Sequence, residues 1–183
     1  MKSLSELQAI KDRVRATVLP SENDGKTRVV VGMATCGIAA GATPVLDALK
    51  KAVDNGEVDD VLVEQTGCVG ICQYEPVVEV FEPGKDKVTY VKMDAEKTGR
   101  VIEEHLKGGK VVEDFLLSDA NGEKTALKDT AFYKPQQRVV LRNCGLIDPE
   151  SIDEYIAMDG YAALGKVLTS MSPEDVIEEV KKS

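Results

Sequence analysis

The chain has 183 residues, 43% hydrophobic and 30% charged, with a formal net charge of −9. That is the composition of a globular protein, and its acidity argues against nucleic-acid binding, which rests on a basic patch, and against an anionic membrane surface. No run approaches the roughly 18 apolar residues of a membrane span, and nothing at the N-terminus reads as an export signal, so the four cysteines point to the cytoplasm and to metal or redox use.

Leu4, Leu7, Ile10, Val14 and Val18 recur at helical spacing, so a helix is predicted over about 3–18, with Ser3 and Glu6 as a capping box. Leu19 to Lys26 has loop composition. A strand is predicted over 28–34, its consecutive valines implying burial on both faces. After Cys36, Thr43 as cap and Pro44 at the first position predict a helix to about Asn55, with Val45, Leu46, Leu49, Ala52 and Val53 inward. Residues 60–65 form a second strand, and strand–helix–strand favours a parallel pair.

The run Thr66-Gly67-Cys68-Val69-Gly70-Ile71-Cys72 follows, presenting two thiols on a glycine-bearing loop. Strands at 77–82 and 87–92 flank the turn Pro83-Gly84-Lys85-Asp86. Asp94 caps a helix to about Lys107, which Gly108-Gly109 stops. The order resembles thioredoxin topology, and the proline before the third strand makes Glu75–Pro76 a candidate cis bond. Residues 117–149 read as an extended linker, with 137–145 an extended run ending near Cys144. Three short helices are predicted at 150–158, 160–169 and 173–182, the last starting at Ser172-Pro173-Glu174-Asp175. The chain ends without a stop signal after Lys182, so we read it as a segment of something larger.

Cys36, Cys68 and Cys72 all stand at strand-to-loop junctions, where thiolates can converge on a soft metal: zinc, copper(I) or an iron–sulfur cluster. An all-cysteine zinc site and plain buried thiols are the competing readings. A thioredoxin-type dithiol has two residues between its thiols, and here there are three. Cys144 alone reads equally well as a small buried residue. Gly37, Gly41 and Gly67 lack the Lys-Ser/Thr of a phosphate loop, and suit close approach of backbone N–H groups to sulfur instead. His105 reads as a helix C-terminal residue, and Glu174, Asp175, Glu178 and Glu179 as a solvated face.

With Cys36 at the end of the first strand, and Cys68-Val69-Gly70-Ile71-Cys72 followed by Pro76-Val77-Val78, residues 27–106 resemble the thioredoxin-like [2Fe-2S] ferredoxin domain of the 24-kDa-type subunit of respiratory complex I. Arg142-Asn143-Cys144-Gly145-Leu146-Ile147-Asp148-Pro149, Gly160-Tyr161 and the run from Ser172 to Ser183 resemble the start of the 51-kDa-type flavoprotein subunit. The fusion is similar to the beta subunit of NAD(P)-dependent, often electron-bifurcating, [FeFe]-hydrogenases. The resemblance implies an α/β, thioredoxin-like ferredoxin domain over 1–116, an extended linker over 117–149 carrying Cys144, and a helical start of a flavoprotein domain over 150–183. It implies a [2Fe-2S] cluster relaying single electrons between a flavin module and partner iron–sulfur subunits, with FMN and NAD(P) sites only further downstream. The alternative is a structural or docking module with zinc or no metal.

The family supplies two cysteines near the end of the first strand. Here only Cys36 stands there, and Val31 lies five residues earlier. A [2Fe-2S] cluster takes four ligands. The ligand set implied is therefore Cys36, Cys68, Cys72 and Cys144, with a non-cysteine fourth ligand, or no stable cluster, as the alternatives.

Overall fold

The structure is a computed structural model that describes residues 3–18 and 25–183. Most of the predicted loop from Leu19 to Lys26 lies outside the described residues. Helix α1 (Leu4–Val18) begins with the expected capping box: Ser3 N–H donates to Glu6 at 2.6 Å and Glu6 N–H to the Ser3 hydroxyl at 3.3 Å.

Strands β1 (Thr27–Gly32), β2 (Val61–Thr66), β3 (Val78–Phe81) and β4 (Val88–Tyr90) form one four-stranded sheet in the order β2-β1-β3-β4. β1 and β2 are parallel, while β3 runs antiparallel to β1 and β4 to β3. Helix α3 (Ala42–Asp54) crosses from β1 to β2 and buries Val45, Leu46, Leu49 and Ala52 against Val29, Val31, Val78 and Val80. Each such side chain contributes about 1.5–3 kcal/mol by leaving water. Val31, at the position of a second strand thiol, belongs to this core.

The opposite face of the sheet is also covered, but by charge. Arg28 on β1 is fully buried; it donates to Glu64 of β2 and lies 3.6 Å from Glu154 on helix α5 (Ile152–Ala157). Helix α1 packs on α5, tied by Lys11–Asp159 at 2.5 Å and Arg13–Asp153 at 3.0 Å. Helices α6 (Ala162–Ser170) and α7 (Pro173–Lys182) complete the segment, α7 with the full Ser172/Asp175 capping box.

Four local expectations are corrected. Cys36 is not in a loop but in the first turn of a short helix, α2 (Thr35–Ala40), which Gly41 ends at φ +99°. The same Gly41 caps α3, so Thr43 and Pro44 lie inside its first turn, where proline's missing N–H is not needed. The helix capped by Asp94, α4 (Ala95–Arg100), continues through Val101–Lys107 as a π-helix. Residues 137–145 are not extended: 140–146 form consecutive turns, with Cys144 N–H on the Leu141 carbonyl at 3.1 Å and Val140 90% exposed. Valines without a neighbouring strand edge have no ladder to join.

Among the described residues, no helix is long and apolar enough to cross a membrane.

Candidate metal centre

β1 and β2 are parallel, so their C-terminal ends open on the same side of the sheet. The chain leaving β1 turns through Met33 and Ala34 into α2 and delivers Cys36. The chain leaving β2 delivers Cys68, rounds Gly70 at φ +93°, and enters a 3₁₀ turn over Cys72–Tyr74. Glu75 and the cis bond to Pro76 then lead towards β3.

The three sulfurs lie within 4.8 Å of one another. Cys68 and Cys72 Sγ are 3.3 Å apart, and the Gly70 N–H points at Cys68 Sγ from 3.3 Å. Burial, reinforced by its hydrogen bonds with Cys68 and Cys72, pushes the Cys36 thiol up to about 12. Burial also raises Cys68, against the Gly70 N–H, which favours its thiolate. Three converging thiols held in this way suit a soft metal, whose binding displaces their protons. Cys72 is exposed, so the group reaches the surface.

Sequence reasoning missed Glu75. Its side chain is buried, accepts the Val77 N–H at 2.8 Å and lies 3.7 Å from Cys36 Sγ. Burial raises its carboxyl above the ordinary range. The available signal was an acidic residue three positions after Cys72, next to a motif one thiol short.

Cys144 is brought near the cysteine loop without joining the group. Gly145 N–H donates to the Thr66 hydroxyl at 3.2 Å, and a Cβ on Gly145 would stand 2.9 Å from Val69. The Cys144 thiol is half-buried and lies outside the set of three. Its carbonyl takes a hydrogen bond from Arg138 at 3.3 Å. The linker does fold back on the first domain, through Thr66 to the Ile147 carbonyl, Gln65 to Asp148 and Glu150, and Tyr133 to the Val69 carbonyl.

His105 does stand in the last turn of its helix, as expected, and its side chain has partners of its own. It is buried, with Nδ1 2.8 Å from the Tyr90 hydroxyl and Nε2 3.1 Å from Glu82.

Residues 17–106 match the thioredoxin-like [2Fe-2S] ferredoxin family. The chain is 33% identical over 109 residues to the NADP-reducing hydrogenase subunit HndB of Solidesulfovibrio fructosivorans, covering 60% of this chain and 82% of that one. The chain belongs to the thioredoxin-like [2Fe-2S] ferredoxins. A 54-residue stretch, 30% of the chain, is 57% identical to subunit HndC of the same hydrogenase but spans only 11% of its length. A [2Fe-2S] ferredoxin of Clostridium pasteurianum is 30% identical over 69 residues, 37% of this chain and 65% of that one. The 1.5 Å crystal structure of the Aquifex aeolicus thioredoxin-like [2Fe-2S] ferredoxin is 25% identical, with a TM-score of 0.45 over 51% of this chain and 97% of that one. This [2Fe-2S] ferredoxin is thus an electron-carrier domain similar to hydrogenase subunits, and its three converging thiols fit the family's cluster.

Proposed function

We propose that this ferredoxin relays single electrons between a flavin module and partner iron–sulfur subunits of an NAD(P)-linked, hydrogenase-type complex in the cytoplasm. The observation that carries the reading is the convergence of Cys36, Cys68 and Cys72 within 4.8 Å in this family's fold. Similarity to two subunits named for the same NADP-reducing hydrogenase supports the setting.

The cluster, when bound, supplies a one-electron couple. The chain supplies ligands, a dry floor and a dipole. Val69 and Ile71 beside the thiols are buried with Val77 and Leu117, which limits water beneath the site. The Gly70 N–H stabilises negative charge on the Cys68 sulfur. The exposed Cys72 gives a partner its approach. The fourth ligand comes from outside the three thiols, and Cys144 and Glu75 are the candidates.

The deciding experiment is iron and acid-labile sulfide analysis with EPR on the chain purified without oxygen. About two irons and about two sulfides per chain, with an S = 1/2 signal that appears only on reduction, are expected. Stoichiometric zinc, or no metal, would replace the relay by a structural or docking module.

A further inference from the structure

Three thiols leave one position of a four-ligand cluster to be filled. The group that stands beside one of them, Cys36, is the Glu75 carboxyl. It is 8% exposed, and its Oε1 lies 3.7 Å from Cys36 Sγ. The groups acting on it are the Val77 N–H, Cys36 and Glu79, none of them a cation. A carboxyl buried without a cation either takes up a proton or coordinates metal.

One glycine keeps room for it. A Cβ at Gly32 would stand 3.1 Å from Glu75 Oε2 and 3.2 Å from its Oε1. The β1 end is thus trimmed around this side chain. Spacing agrees as well. Two ligand atoms on one tetrahedral metal lie about 3.5–3.8 Å apart when bonds to thiolate are about 2.3 Å and to carboxylate about 2.0–2.2 Å. The Cys36–Glu75 separation of 3.7 Å matches that spacing.

From these observations we propose that Glu75 is the fourth cluster ligand, sharing one iron with Cys36 while Cys68 and Cys72 hold the other. The assignment rests on the cluster reading above. It takes the place in the ligand set that sequence alone leaves to Cys144; both side chains lie outside the group of three sulfurs, and Glu75 is distinguished by its 3.7 Å approach to Cys36 Sγ. A mixed thiolate–carboxylate iron differs electronically from an all-thiolate one, since ligand type tunes the metal.

The test is ⁵⁷Fe Mössbauer and EPR spectroscopy on the full chain, loaded anaerobically with iron and sulfide. Two inequivalent ferric sites are expected in the oxidised protein. Glu75→Cys should keep the iron and merge the two sites into one all-thiolate pattern. Glu75→Ala should lose most of its iron, and Cys144→Ser should change neither content nor spectrum. If Glu75→Ala fails to fold, as judged by circular dichroism of the metal-free chain, Glu75→Cys still decides. Two all-thiolate sites in the wild type, unmoved by Glu75→Cys and lost in Cys144→Ser, would overturn the assignment in favour of Cys144. Absence of iron from the wild type itself would overturn the cluster reading, and the ligand with it. That failure is told apart because it precedes any variant.

Discussion

The hydroxyl of Thr66, the last residue of β2, holds Gly145 of the linker: it accepts the Gly145 N–H at 3.2 Å and donates to the Ile147 carbonyl at 2.9 Å. One side chain therefore fixes the turn that follows Cys144 against the base of the cysteine loop. Thr66→Val keeps the shape and removes both bonds, leaving the buried Gly145 N–H unpaired. The expected cost is about 1–3 kcal/mol in urea unfolding, with faster proteolysis confined to residues 138–150. Unchanged cleavage there would show that the linker is held by something else.

Much of this arrangement is legible in the sequence, and what is hidden has a common physical cause. The strands and α3 announce themselves because Val29-Val30-Val31 and the Val45, Leu46, Leu49, Ala52 spacing are local patterns. The Cys68/Cys72 pair is local too. Helix α2 is hidden because it is one short piece containing Gly37 and ended by Gly41. Val139-Val140-Leu141 carries strand propensity but meets no sheet edge, so propensity loses to tertiary context. The burial of Glu75, Arg28 and His105 is hidden because charge in a sequence gives no sign of the partner that buries it. Cys144 as the remaining ligand is read from residue type alone, whereas the approach of Glu75 to Cys36 appears only as a distance.

Arg28 shows how strongly the C-terminal segment is tied to the sheet. It is fully buried between Glu64 and Glu154, with Phe81 under the guanidinium at 6.0 Å from the ring centre. Arg28→Met leaves two carboxylates facing each other with little water and should destabilise the fold by about 3 kcal/mol. Adding Glu154→Leu should recover much of that loss, because the uncompensated charge goes with it. If the double variant is as unstable as the two singles added together, the pair is not coupled.

The Tyr90–His105–Glu82 chain fixes a proton position. Val112 N–H donates to the Tyr90 hydroxyl at 3.1 Å, so that hydroxyl sends its own proton to His105 Nδ1. The tautomer expected from this arrangement has Nε2–H facing Glu82 at 3.1 Å. Nitrogen-15 shifts of the imidazole should report the Nε2–H tautomer. The Nδ1–H pattern would require the Tyr90 hydroxyl to face elsewhere.

Glu82 also predicts a pH dependence. Burial opposes its charge, but donation from Lys85 at 2.8 Å and from His105 outweighs this and holds its carboxyl below the ordinary 4.5. The folded value is lower than the unfolded one, so ionised Glu82 stabilises the fold above pH 4.5 and that contribution is lost as pH falls through the depressed value. Glu82→Gln should cost about 1 kcal/mol near neutral pH and flatten the acid limb of a urea-midpoint profile. A parallel profile for the variant would assign that limb to other carboxylates.

Gly70 and Tyr133 give the last prediction, which concerns the reduced protein rather than its stability. Tyr133 donates to the Val69 carbonyl across the linker, and a Cβ on Gly70 would stand 2.3 Å from its hydroxyl oxygen. Gly70 also needs its φ of +93°, which an L side chain rarely adopts. Gly70→Ala must therefore move the loop, and with it the N–H that points at Cys68 Sγ. Losing that dipole disfavours the added electron, so the reduction potential should shift negative. Tyr133→Phe relieves the contact while keeping the backbone. It should lower stability by about 1 kcal/mol and shift the potential less. Protein-film voltammetry on the two variants separates these effects. Equal potentials would show that the Gly70 N–H does not act on the sulfur, whereas a shift in Gly70→Ala that Tyr133→Phe does not reproduce ties the potential to that one backbone donor.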